Sequence, residues 1–213
     1  RRQRIFVTGS IRIYKRKEHL QMTDDARFKE IIKERLTERR YNHSLCVADS
    51  AKSLAKKYGA DENKAYTAGL LHDVFKDAKK EEQLAYIAEN NIELSKTELH
   101  TPKLYHAICG AHYIEHTLGV CDPEIISAVR YHTTGRGGMP LLEKVLFVAD
   151  YISADRTYPG VDVMREKAER SLDEAIVYGI AFTVKELIDE GKCVHTDTVN
   201  AYNDAILEMK GRL

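Results

Sequence analysis

Apolar residues recur along this chain at the three-and-four spacing of helices over almost its whole length. Phe28, Ile31, Ile32, Arg35 and Leu36 share one face. A second run opens at His43, continues through Leu45, Val47, Ala48, Ala51, Leu54, Ala55 and Tyr58, and stops at Gly59. Asp61 is placed to cap a third helix running through Ala65, Ala68, Leu70 and Leu71 to His72. A polar-faced helix is predicted over 80–90, and another from Leu104 to Leu118 with Gly119 behind it. A further helix begins at Pro123-Glu124 and ends at His132. Thr134-Gly135-Arg136-Gly137-Gly138 reads as a flexible loop. A helix restarts at Met139-Pro140 and carries Val145, Val148, Asp150 and Ile152, and two more are expected over 162–191 and 196–211. The fold class is therefore all-α, a helical bundle.

Residues 1–21 stand apart. Arg1, Arg2, Arg4, Arg12, Lys15, Arg16 and Lys17 precede the first acid, and Ile5-Phe6-Val7 and Ile11 to Ile13 have the character of short strands. Met22 followed by Thr23-Asp24-Asp25 reads as a start with a helix N-cap. The expectation is a basic leader or cloning remnant over 1–21 and one domain over 22–213, the alternative for the leader being an arm that contacts a partner.

Composition narrows the classes. A chain of 213 residues buries a core without disulfides, and Cys46, Cys109, Cys121 and Cys193 form no Cys-x-x-Cys pair, so reduced thiols and a cytoplasmic location are expected. Lys+Arg and Asp+Glu both number 33, which gives no general attraction to nucleic acid or anionic lipid. No stretch approaches the roughly 20 apolar residues of a membrane helix.

The chemistry lies in the polar residues set into this apolar frame. The helix ending Leu70-Leu71 runs directly into His72-Asp73, then Lys76 and Asp77. Burying an imidazole beside a carboxylate is costly unless something pairs with both, and a divalent cation does so economically. Further candidates follow the order His43, His106, His132 and Asp150, the last set within Val145-Leu146-Phe147-Val148-Ala149. Helix ends and inward faces of a bundle converge on such sites. Two imidazoles and two carboxylates hold one ion and leave positions open for water and substrate. Mixed nitrogen and oxygen donors suit iron, manganese or zinc without choosing among them. His106 and His132 serve either a second ion or hydrogen bonds to a phosphate. A single histidine is more often a cap or core residue than a ligand, which is the reading for His100, His195 and the helical pair His112 and His116.

These residues resemble the HD-domain superfamily of metal-dependent phosphohydrolases, in the order His43, His72-Asp73, Asp150. Closer similarity is to the bacterial YqeK family of symmetrical diadenosine tetraphosphate (Ap4A) hydrolases. It is carried by Arg40-Tyr41-Asn42-His43-Ser44, by Gly69 to Asp77, by Tyr105-His106-Ala107 and by Val129 to Gly135. Lys144 to Ile152, Asp155 to Gly160 and His195 to Asn203 complete it. The resemblance implies an HD-type bundle that splits Ap4A into two ADP with metal-activated water. Implied metal ligands are His43, His72, Asp73 and Asp150, holding one or two ions, iron first. Asp73, Lys76, His106 and His132 are implied in catalysis. Substrate contacts are implied at Arg40, Asp73, Val74, Phe75, Lys76, His106, His132, Thr133, Arg156, Thr196, Asp197 and Thr198. Two guanidiniums suit phosphate oxygens, Thr133, Gly135 and Gly138 let a loop approach a ligand, and Asp77 is placed to orient a ligand histidine or Lys76.

Three other readings stay open. Another HD-type nucleotide phosphohydrolase keeps the ligands and changes the pocket, and product analysis separates it. A non-catalytic nucleotide or alarmone sensor binds without turnover. An RNA-binding accessory role loses salt-sensitive binding when 1–21 is removed. Tyrosines (12 of 213) can bury against a second copy in a homodimer, though core packing explains them equally.

Overall fold

The computed structural model describes residues 17–211, with side chains from Asp24 onward. Its helices are α1 (Lys17–Arg35), α2 (Glu38–Tyr58), α3 (Glu62–Leu71), α4 (Lys80–Glu89), α5 (Lys96–Leu99), α6 (Tyr105–His116), α7 (Pro123–Tyr131), α8 (Leu141–Ile152), α9 (Val161–Arg170), α10 (Leu172–Asp189) and α11 (Thr196–Lys210), with a 3-10 turn at Pro102–Leu104. No strand occurs among the described residues, and the strand character of 5–13 lies outside them. None of the helices is long and apolar enough to cross a membrane.

Local chemistry sets most boundaries. Asp61 accepts from Asn63 N and Lys64 N and acts as the expected N-cap, and Asp122, accepting from Glu124 N, caps the helix that begins at Pro123. Gly59 closes α2 at φ 81°, where a side chain is disfavoured. Four expectations need correcting. The N-cap expected at Thr23-Asp25 falls inside α1. His43 does not open α2, which starts behind the Thr37 cap and places His43 one turn in. The segment 162–191 is two helices, because Ser171 is extended (φ −159°, ψ 134°) and caps α10 with its own hydroxyl. Asp77 is spent on fold: its Oδ2 accepts from Thr37 N and Thr37 Oγ1, both at 2.8 Å, tying the segment after α3 to the start of α2.

Helices α2, α3, α7 and α8 form the inner bundle, with α1 against α2 and α3, α6 bridging α7 to α4, and α9 and α10 against α8; α11 packs on α10. The α2–α3 contact is the tightest. A Cβ added to Gly69 would sit 2.5 Å from Ala48 Cα, so only glycine permits this approach. That approach brings His43 of α2 beside His72 at the end of α3, with ring centroids 5.4 Å apart.

Helix α5 was not anticipated, yet it carries a capping box: Ser95 Oγ accepts from Glu98 N and Glu98 Oε2 accepts from Ser95 N. Buried Glu98 also pairs with Arg130 of α7. Burial alone pushes its carboxyl up, but the bonds from Ser95 and Arg130 outweigh this and hold it below the usual glutamate value. The stabilisation is therefore present above that usual value and lost as pH falls through the lowered one. Glu98→Gln is expected to cost about 1 kcal/mol at pH 7. Urea unfolding of both proteins checks this, and the gap should close as Glu98 protonates in acid.

Candidate metal centre

Four helix ends and faces meet at one point. His72 is the C-cap of α3 and Asp73 follows it, His132 is the C-cap of α7, His43 lies near the start of α2, and Asp150 sits in the last turns of α8. Two overlapping triplets result, His43–His72–Asp150 and His72–Asp73–His132, each with ligand atoms within 4.8 Å of one another. His43 Nε2 is 3.0 Å from Asp150 Oδ1, and His72 Nε2 is 3.4 Å from Asp73 Oδ2.

The other ring nitrogens explain why these Nε2 atoms point inward. His72 Nδ1 donates to Gly69 O, and His132 Nδ1 to Val129 O, both at 2.7 Å and each to a carbonyl at the end of its own helix. His43 Nδ1 donates to Asp155 Oδ2 at 2.8 Å. Each Nε2 then faces carboxylate oxygens, as an N–H partner when it carries a proton and with a lone pair for a cation when it does not. His72 Nε2 and Asp73 Oδ1 are buried and have no hydrogen-bond partner. A buried imidazole nitrogen and a buried carboxylate oxygen that lack hydrogen bonds, in one cluster of potential ligand atoms, fit a divalent cation.

Cationic groups ring the set. Arg40 Nη1 donates to Asp73 Oδ2 at 2.8 Å, and Arg156 pairs with Asp150 while its Nε holds Asp150 O at 2.8 Å. Lys76 Nζ lies 3.1 Å from His106 Nε2, which lies 3.2 Å from Asp73 Oδ1 and 3.2 Å from His132 Nε2. Thr133 Oγ1 is 3.1 Å from His132 Nε2. Burial pushes the Asp73 carboxyl up, but the imidazoles of His72, His106 and His132 overcome this and hold it well below the carboxylate range. Burial acts on Asp150 in the same way and is outweighed by His43 and Arg156. Burial, with Lys76 nearby, takes His106 down to about 4, so it is a neutral hydrogen-bonding group at pH 7.

The sequence-based residues thus divide. Arg40, His43, His72, Asp73, Lys76, His106, His132, Thr133, Asp150 and Arg156 are brought together. Val74 and Phe75 are core side chains, Phe75 packed on Tyr86, Tyr113 and the Arg35 guanidinium, and their carbonyls are taken by Arg35 Nε and Gln83 Nε2. Thr196, Asp197 and Thr198 open α11, Thr198 buried, and no hydrogen bond or ion pair among the described residues joins them to the ligand set. Gly135 is needed for packing rather than for a ligand: at φ 63°, a Cβ would meet Ala201 Cβ at 2.9 Å. His112 and His116 stack together at 4.0 Å on α6, with His112 Nδ1 held by Tyr86.

Two residues escaped the sequence reading. Asp155 lies on the loop after α8, where Ser153 Oγ donates to its Oδ1 at 2.8 Å while its Oδ2 orients His43. Arg165 of α9 pins that loop through Ile152 O, Ser153 O and Arg156 O at 3.1 to 3.2 Å. The only signal was that the acid follows Asp150 within a turn or two. Carboxylates that orient a ligand histidine are worth roughly 10–100-fold in metal affinity. Asp155→Asn is expected to weaken metal binding by about that factor, read by competition with a chromogenic chelator, with the helical content unchanged.

The HD domain model matches residues 40–155, the segment from Arg40 to Asp155 that holds every candidate ligand named above. The chain belongs to the HD-domain family. Its branch is marked by bacterial relatives named bis(5'-nucleosyl)-tetraphosphatase, symmetrical. That of Bacillus subtilis is 42% identical over 172 residues, covering 81% of this chain and 92% of the relative. That of Halalkalibacterium halodurans is 39% identical over 183 residues, covering 85% and 96%. Among solved structures, a predicted HD superfamily hydrolase involved in NAD metabolism from Clostridium acetobutylicum superposes with a TM-score of 0.83 at 34% identity, over 86% of this chain and 97% of that one.

Proposed function

We propose that this protein hydrolyses Ap4A symmetrically to two ADP. The observation that carries the proposal is the pair of overlapping, buried ligand triplets ringed by Arg40, Lys76 and Arg156, in a chain with symmetrical tetraphosphatases as relatives. His43, His72, Asp73 and Asp150 hold the cation, iron first by family resemblance, and His132 completes the second triplet. A divalent ion there supplies an activated water and neutralises charge on the phosphoryl oxygens. Arg40 and Arg156 reach the bridge as forked donors and Lys76 as a point charge, so charge developing on the inner phosphoryl group meets fixed cations. Neutral His106 adds a hydrogen bond without adding charge. Water adds to an inner phosphorus, the central bridging P–O bond breaks, and one ADP leaves as the other takes the water oxygen.

Metal dependence tests the assignment. Chelation should abolish turnover, and Fe(II) added anaerobically should return it, with manganese or zinc returning less. Full activity in the chelated protein contradicts the proposal.

A further inference from the structure

The ligand set explains the phosphate chemistry but not how either nucleoside end is held. A cavity of about 240 Å³ adjoins the metal centre, its lining shared between Asp150 and Arg156 of that centre and Tyr158, Phe182 and Glu186 outside it. It is smaller than the roughly 300–1,000 Å³ of a site for a whole drug-sized ligand, which suits one part of a larger molecule. No residue of the Thr196–Thr198 segment lines it.

Two of its walls are aromatic. Tyr158 and Phe182 rings lie 5.9 Å apart at 37°, and Phe182 is 44% exposed, on a helix whose other aromatic, Tyr178, is half-buried. The pair is held in place rather than loose. Tyr158 Oη donates to Tyr151 O at 3.1 Å, and Tyr151 Oη and Thr183 Oγ1 are 2.7 Å apart. Arg165 pins the loop bearing Arg156 ahead of Tyr158. Behind it, Gly160 (φ 96°) packs so closely that a Cβ would sit 2.7 Å from Tyr178 Oη. Arg156, paired with Asp150, thus lines the same cavity as the exposed face of Phe182 and the Glu186 carboxylate. A cation followed by an aromatic face is the order that a nucleotide presents in phosphate and base. Every base has a face that stacks on aromatic side chains.

We propose that Tyr158 and Phe182 form the platform for one adenine ring of the substrate, with Glu186 facing the edge of the base. The proposal rests on the Ap4A reading for the identity of the base. Its test does not depend on turnover. The probe is the Ap4A analogue with a methylene in place of the central bridging oxygen, which symmetrical cleavage cannot split. Calorimetry on the metal-loaded protein would compare wild type, Phe182→Ala and Phe182→Tyr, with inorganic tripolyphosphate as a probe that lacks the base. Phe182→Ala is expected to weaken the analogue about tenfold and to leave tripolyphosphate unchanged, while Phe182→Tyr restores binding. Equal analogue affinity in wild type and Phe182→Ala overturns the platform, including where the variant only changes oligomeric state and so reveals a subunit contact. A parallel loss of tripolyphosphate binding also overturns it, because the defect is then in the phosphate site. If the wild type binds the analogue but never cleaves Ap4A, the proposed reaction fails and the platform stands.

Discussion

Asp73→Ala should lower kcat/KM for Ap4A by about a thousandfold or more, the scale on which one preorganised electrostatic partner acts at a reacting centre. Asp73 is the hub of the site. Its Oδ1 lies within 3.2 to 3.7 Å of His106, His132 and Lys76, and its Oδ2 meets Arg40 and His72. Removing it takes away one candidate metal ligand and leaves His106, His132, Lys76 and Arg40 without the carboxylate on which they converge. The fold should survive, because Arg40 is partly exposed and re-solvates, and no backbone group depends on the Asp73 side chain. The expected result is loss of turnover and of one metal-binding group, with an unchanged far-UV circular dichroism spectrum. Asp77→Ala is the matched control. Four residues further on, it releases Thr37 and the start of α2, so it should cost about 1 kcal/mol of stability and leave most of kcat intact. A fully active Asp73→Ala protein removes the centre from the account.

The second large effect is on stability. Gly69→Ala places a methyl group 2.5 Å from Ala48 Cα and 2.8 Å from Ala48 N, both backbone atoms that cannot rotate away. Helices α2 and α3 must separate to admit it. Overpacking of this kind costs about 1–3 kcal/mol and occasionally more, and with backbone as the obstacle the upper end is expected. For a domain of this size that is a fall of roughly 6–12 °C in Tm, measurable by scanning calorimetry. Because Gly69 O also fixes His72 Nδ1, metal affinity should fall with it. A variant as stable as wild type shows that the α2–α3 spacing is not set by this residue.

These two positions show what was readable in the chain and what was not. The helical frame was legible because apolar periodicity and caps such as Asp61 and Gly59 are local signals. The break at Ser171 was missed because its extended backbone interrupts a pattern that is apolar on both sides. The candidate cluster was legible because His72-Asp73 and Asp150 are polar residues where periodicity demands burial. What decides the geometry was less so. Asp155 and Arg165 act across the loop after α8, at separations that no window of sequence reveals. Asp77 looked like part of the site because it follows Asp73 and Lys76, yet the turn after α3 points it at Thr37. Phe75, adjacent in sequence to the same motif, faces the core. Gly69 carried no signal beyond its identity, since what it must avoid is the backbone of another helix.

The central claim is a symmetrical split at an inner phosphorus, and its most direct measurement is of products. The purified protein, loaded anaerobically with Fe(II), is given Ap4A and the nucleotides are resolved by anion exchange. The account predicts ADP alone, at twice the Ap4A consumed. AMP with ATP in equal amounts would contradict it, because the bond broken would then be an outer P–O–P bridge and not the central one.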